Sequence, residues 1–138
     1  MTKPVSKKMG IKEDARTIFV NAPAEAIAAI DLPRLDVASE FTGDFDYIHL
    51  FAKSQAEFRE IFPKLKIHLK PTGTLWVSWP KNRQLGTNLS LTKIISMGYE
   101  YGLVESTVLS IDTTWSAIKF THPKMGKVYH NSYGQLSE

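Results

Sequence analysis

Three residues, Asp112-Thr113-Thr114, separate the last two strand-forming runs of this chain, 103–111 and 115–121. A parallel crossover needs about a dozen residues or more, so these two runs must close as an antiparallel hairpin. Everything before them alternates differently. Thr17-Ile18-Phe19-Val20 is a short β-branched and aromatic run closed by Asn21-Ala22-Pro23, which predicts a buried strand. Asn21 is expected to cap a short helix with Pro23 in its first turn and Ala26, Ile27 and Ile30 on its inner face. Asp31-Leu32-Pro33 stops that helix, and residues 35–41 hold a brief strand.

The alternation continues. Phe45 to Phe51 (FDYIHLF) follows the turn Thr42-Gly43-Asp44 and reads as a strand. Ser54-Gln55-Ala56-Glu57 is a capping box. After it Phe58, Ile61, Phe62, Leu65 and Leu69 fall on one helical stripe. Pro63 lies inside that stripe and is expected to kink or split the helix. Lys70-Pro71-Thr72-Gly73 reads as a turn, and TLWVSW, 74–79, as the next strand, ended by Pro80. A polar loop at 81–88 leads to a helix marked by Leu91, Ile94, Ile95 and Gly98. Gly98 predicts close packing on the sheet, and Gly102 is placed just past the helix end. The order predicts an α/β fold: a mostly parallel sheet with helices on its faces and a C-terminal antiparallel hairpin.

Length and composition bound the rest. At 138 residues, 43% hydrophobic and 22% charged, the chain suits one globular core. The expected division is an N-terminal arm at 1–9, one α/β domain at 10–122 and a tail at 123–138. No apolar run approaches the ~20 residues of a membrane span, and residues 1–9 lack the apolar core of a secretory signal. Cytoplasm is the expected location. With no cysteine, disulfide frameworks, cysteine-held zinc and thiol nucleophiles are excluded. The four histidines have no metal-binding spacing, and no phosphate loop or nucleophile elbow is present. The net charge of +3 is unevenly spread. Residues 1–62 carry 8 Lys/Arg and 10 Asp/Glu, hence −2; residues 63–138 carry 9 and 4, hence +5. No acid occurs from Ile61 to Tyr99, while Lys64, Lys66, Lys70, Lys81, Arg83 and Lys93 do. Such a stretch attracts anions.

Three pieces resemble the second half of a Rossmann-type S-adenosylmethionine-dependent methyltransferase domain. Phe45-Asp46-Tyr47-Ile48-His49-Leu50 is similar to that class's fourth strand. Leu65 to Val77 (LKIHLKPTGTLWV) is similar to its helix-turn-strand motif, and Gly102 to Phe120 resembles its closing hairpin. The chain also resembles a family of small bacterial proteins of unknown function. That likeness rests on Leu-Trp-Val-Ser-Trp-Pro-Lys at 75–81 and Asp-x-Thr-Trp-Ser-x-hydrophobic-Lys at 112–119, with Asn21-Ala22-Pro23 and His49-Leu50-Phe51-Ala52 beside them. The resemblance implies a methyltransferase-like fold lacking some strands, and no activity. In methyltransferases the first strand enters a glycine-rich cofactor loop. Here that loop is Asn21-Ala22-Pro23-Ala24, with no glycine and with a proline that removes an N–H donor.

Ligands of parallel α/β sheets gather at the carboxyl ends of strands. Three such ends place Asn21, Lys53 and Lys81-Asn82-Arg83 on one rim, with Ser78 and Trp79 just inside. The group predicts a site for a small anion. Trp76 and Trp79 have opposite parity and should face opposite sides of the sheet. Trp115 is a candidate partner anchor, and the edge it starts is a candidate for pairing with a second copy. His49 is expected to be a hydrogen-bonded sheet histidine and His68 a solvated one. The reading is a non-catalytic ligand-binding or interaction module, with no cofactor and no metal. The alternatives are a methyltransferase with an altered cofactor site and, ranked lower, a weak nucleotide or nucleic-acid binder.

Overall fold

The computed structural model describes residues 4–124. Its elements are α1 (Val5–Met9), β1 (Arg16–Val20), α2 (Ala24–Ile30), β2 (Asp36–Val37), β3 (Phe45–Phe51), α3 (Gln55–Ile67) and β4 (Leu69–Pro80). A 3-10 segment (Lys81–Gly86), α4 (Leu91–Glu100), β5 (Val104–Ser110) and β6 (Trp115–Thr121) complete them. The strands form one six-stranded sheet in the order β2-β1-β3-β4-β6-β5. The pairs β2–β1, β1–β3 and β3–β4 are parallel; β4–β6 and β6–β5 are antiparallel. The mostly parallel sheet and the terminal hairpin are as the strand spacing requires.

Side-chain parity divides the core between the two faces of this sheet. One face packs Ile48, Leu50, Val77, Trp79 and Phe120 with Phe58, Phe62 and Leu65 of α3 and Ile94 and Met97 of α4. The other packs Tyr47, Phe51, Trp76, Trp115 and Ala117 with Met9 of α1 and Ala26 and Ile30 of α2. Trp76 and Trp79 therefore lie on opposite faces, as their spacing predicts. Gly98 is the point of closest helix–sheet approach: a Cβ there would sit 2.2 Å from Cε1 of Phe120.

The helix ends follow local chemistry. Ser54 Oγ accepts from the Glu57 N–H at 3.1 Å, and Glu57 Oε1 accepts from the Lys53 N–H at 3.0 Å. The box thus closes one residue further back than its usual form. At the other end of α4, Gly102 (φ +86°) donates to Tyr99 O and Leu103 donates to Gly98 O. These two bonds are the full Schellman arrangement.

Several expectations are corrected. Pro63 does not split its helix: α3 runs unbroken over 13 residues. Leu69 belongs to β4 and not to the helical stripe, and 70–73 is extended strand, absorbed by a register shift between Phe45 and Tyr47. Asn21 does not cap α2. Pro23 holds that position, with no side-chain cap bond, and Asn21 sits at φ 59°. Residues 5–9, expected to be part of an arm, form α1, whose Met9 is buried. The hairpin turns inward: β6 lies beside β4, and β5 is the edge. The expected tail lies outside the described residues beyond 124. No helix among the described residues is long and apolar enough to cross a membrane.

Candidate functional site

The carboxyl ends of β1, β3 and β4 deliver the candidate residues, and the structure unites only some of them. Asn21 follows β1 and is exposed; Lys53 follows β3 and is exposed. Lys81, Asn82 and Arg83 follow β4 and share a cleft of about 440 Å³ with Ser90, Leu91 and Ser116. Trp79, Leu89 and Val108 give that cleft apolar walls. Neither Asn21 nor Lys53 lines it, and no carboxylate does.

The loop after β4 is held in an uncommon shape. Asn82 (φ 50°, ψ 38°), Arg83 (φ 61°, ψ 22°) and Leu85 (φ 55°, ψ 23°) all adopt the left-handed region. That region costs roughly 1–2 kcal/mol for each residue with a Cβ. Two bonds to the hairpin turn hold it: the Lys81 N–H, just before it, donates to Thr114 O at 2.7 Å, and Gln84 Nε2, within it, donates to Thr113 O at 3.0 Å. Lys81 Nζ donates to Ser110 Oγ. The hairpin turn 112–114 thereby supports the loop that carries Arg83. At the cleft's opposite side α4 begins, where Ser90 Oγ accepts from the Lys93 N–H at 3.3 Å. Ser90, Leu91, Val108 and Ser116 were not legible as site residues, because they come from three separate elements.

Two candidates are corrected. Ser78 is fully buried and its hydroxyl lies 2.6 Å from His49 Nε2. It belongs to a buried row in which His49 Nδ1 also lies 2.6 Å from the Tyr47 hydroxyl. The imidazole stacks on Phe51, with ring centroids 4.4 Å apart. Burial holds His49 neutral, its pKa lowered to about 3, and raises the Tyr47 hydroxyl well above its ordinary value. A neutral imidazole has one donor and one acceptor nitrogen, which suits two hydroxyl neighbours. The row is core structure, as the sheet-histidine reading expected. Trp115 is the second correction. It is 2% exposed and packs edge-on against Phe51 at 5.2 Å, so it is a core residue and not the exposed anchor the sequence suggested.

Further clefts lie among the described residues. One of about 340 Å³ lies at the amino ends of the strands, lined by Ile11, Asp14, Asp46, Tyr47 and Thr74. Burial alone would raise the Asp46 carboxyl, but a hydrogen bond from the Arg16 N–H and the Lys70 ammonium hold it below its ordinary value. The other, about 470 Å³, is an apolar groove between β1 and α3, lined by Val20, Phe41, Ile61 and Ile67. It lies beside residues 38–44, which carry the chain from β2 to β3 without a helix. His68, expected to be solvated, is half-buried there, its Nδ1 2.6 Å from Gly43 O.

The loop after β1 does not fit S-adenosylmethionine in the usual way. It has no glycine, and its helix begins behind Pro23, which has no N–H to offer. Asp36 on β2 and Glu40 just past it are both exposed acids. Among the described residues no cluster of His, Asp or Glu could hold a metal.

No protein-family model matches the chain, and no curated protein matches it. Solved structures match in fold. The ribosomal protein L11 methylase from Lactobacillus delbrueckii subsp. bulgaricus aligns with TM-score 0.59 and 12% identity, over 87% of this chain and 75% of that one. The glycopeptide N-methyltransferase MtfA aligns with TM-score 0.55 and 9% identity, over 86% and 87% of the two chains. Precorrin-6y C5,15-methyltransferase from Geobacter metallireducens GS-15 aligns with TM-score 0.52 and 10% identity, over 86% of each. At these identities the likeness is one of architecture: the chain has a methyltransferase-like, Rossmann-type α/β fold.

Proposed function

We propose that this chain is a binding module that takes an anionic group in the cleft after β4. The observation that carries the reading is the charge of that cleft. Lys81 and Arg83 line it, Asn82 and the hydroxyls of Ser90 and Ser116 add polar groups, and no carboxylate is among its lining. A planar guanidinium matches a carboxylate or phosphate with two parallel hydrogen bonds. The loop is preset by its left-handed residues, so little ordering is left for a ligand to impose.

A methyltransferase with an altered cofactor site is the second reading. The fold shared with methyltransferases favours it. The glycine-free loop and Pro23 weigh against it. The resemblance to a bacterial family of unknown function adds no activity to either reading.

A thermal-shift series tests the proposal. Inorganic phosphate, pyrophosphate, citrate and adenine nucleotides are titrated against wild type and Arg83→Ala. The expected result is stabilisation of wild type by at least one anion, and a clear reduction in the variant. Equal shifts for the two proteins across the panel would overturn it.

A further inference from the structure

We infer that the cleft after β4 takes a small molecule with a single carboxylate on a short apolar body, Arg83 holding the carboxylate and Leu91 and Val108 covering the rest. The inference rests on the anionic reading of the cleft and names the class of ligand.

Three observations converge. The first is how little charge the cleft has to offer. Lys81 and Arg83 are its two cations. Lys81 Nζ already donates to Ser110 Oγ, and Asp112 stands two residues beyond that serine. The Asp112 carboxylate accepts the Thr114 and Trp115 N–H groups at 2.8 and 2.7 Å, which fixes it in the turn that supports the loop. One acid against two cations leaves a single unit of positive charge around the cleft. That balance suits one carboxylate and leaves the further charges of a polyphosphate uncompensated. Arg83 is the cation left to bind it. The ion pairs among the described residues engage Arg34, Arg59 and Lys70, and Arg83 has none.

The second observation is the start of α4, which borders the same cleft at Ser90 and Leu91. Ser90 takes the Lys93 N–H on its hydroxyl and the Ile94 N–H on its carbonyl, so the N–H groups of Leu91 and Thr92 remain at the helix start. No acid lies in that first turn. These donors add to the guanidinium in favouring a negative group.

The third is apolar surface. Trp79 and Leu89 are buried walls, while Val108, 48% exposed, and Leu91, 36% exposed, leave apolar area in water. A bare inorganic anion engages the cations and leaves that area wet. An apolar body attached to the carboxylate covers it. The volume of about 440 Å³ is of the size common among small-molecule sites. The groove between β1 and α3 is also apolar and has Lys64 and His68 in its lining, but it offers no guanidinium fork and no helix start.

The test titrates the whole protein with acetate, butanoate and hexanoate, with 1-hexanol and pyrophosphate as controls, read by amide chemical shifts. Affinity should rise roughly two- to fourfold for each methylene from acetate to hexanoate, with shifts at Arg83, Leu91 and Val108. 1-Hexanol with wild type, and hexanoate with Arg83→Ala, should each bind about tenfold more weakly than hexanoate with wild type. Val108→Ser, at a half-exposed position, should reduce the gain per methylene. Equal affinity along the acid series would overturn the inference, and pyrophosphate shifts at 81–83 would then leave the anionic reading standing alone. Hexanol binding as tightly as hexanoate, or hexanoate shifts centred on Ile61 and Ile67, would also overturn it. No response at 81–83 to any anion, pyrophosphate included, would remove both readings.

Discussion

His49 carries a protonation penalty that single residues seldom impose. Its ring is fully buried between the Tyr47 and Ser78 hydroxyls, and its pKa falls from 6.5 to about 3. Between those two values the unfolded chain binds a proton at this position that the folded chain cannot. The contribution is therefore fully present above about pH 6.5 and is lost as pH falls toward 3. The slope is about 1.4 kcal/mol per pH unit at most. Urea unfolding at pH 7, 6 and 5 should show that loss in wild type, and His49→Gln should flatten it. An unchanged slope in the variant would refute the assignment. Gly98 makes a second residue-scale prediction. A Cβ there overlaps Phe120, so Gly98→Ala should lose about 1–2 kcal/mol, despite the ~1 kcal/mol that alanine favours in a helix. A gain in urea midpoint would show that the ring moves aside freely. Both sites were partly legible. Tyr47 and His49 share a strand face by their spacing of two, and a glycine inside an amphipathic helix signals close approach. The partners Ser78 and Phe120 were not legible, because they lie 29 and 22 positions away in sequence.

At the scale of elements, local chemistry decided boundaries and long-range pairing decided the exceptions. Ser54 and Gly102 mark the ends of α3 and α4 where the sequence places them. Ser54→Ala should cost about 1 kcal/mol by leaving the Glu57 N–H without its acceptor. Gly102→Ala should cost roughly 1–2 kcal/mol, from its φ of +86° and from crowding of the Lys66 ammonium, which donates to Tyr101 O. Chemical denaturation of both variants measures these losses; neutral substitutions would remove the caps from the account. The exceptions have a common cause. Residues 70–73 carry turn chemistry, yet Leu69 pairs with Phe45 and draws them into β4. Pro63 removes one internal bond of α3, yet Phe58, Phe62 and Leu65 bury their side chains on either side of it and keep the helix whole. The edge was misplaced for a related reason: a hairpin's spacing fixes that two strands pair, and not which of them lies inward. Here Trp76, Phe51 and Trp115 meet across the sheet and seat β6 beside β4.

Across the whole molecule, the sheet order and the alternating elements give a methyltransferase-like fold. One helix–strand unit, α2 and β2, stands between β1 and β3, and residues 38–44 replace any further one. The loop that would cradle a cofactor follows β1 and carries Pro23, while the cleft with cations follows β4, two strands from β1 in sheet order. The rim read from sequence as one group is thus two places: Asn21 and Lys53 apart, Lys81 to Arg83 together. The sequence order of strand ends was enough to put all of them on one side of the sheet, and only packing of the hairpin against the 81–86 loop decides which share a cavity. Amide-resolved titration with pyrophosphate and, separately, with S-adenosylmethionine tests this most directly. Saturable shifts are expected at Lys81, Asn82, Arg83 and Ser90 with pyrophosphate, lost in Arg83→Ala, with no response at Asn21 or Ala22 to S-adenosylmethionine. Micromolar binding of S-adenosylmethionine with shifts centred on Asn21–Ala24, and none at 81–83 with pyrophosphate, would contradict it.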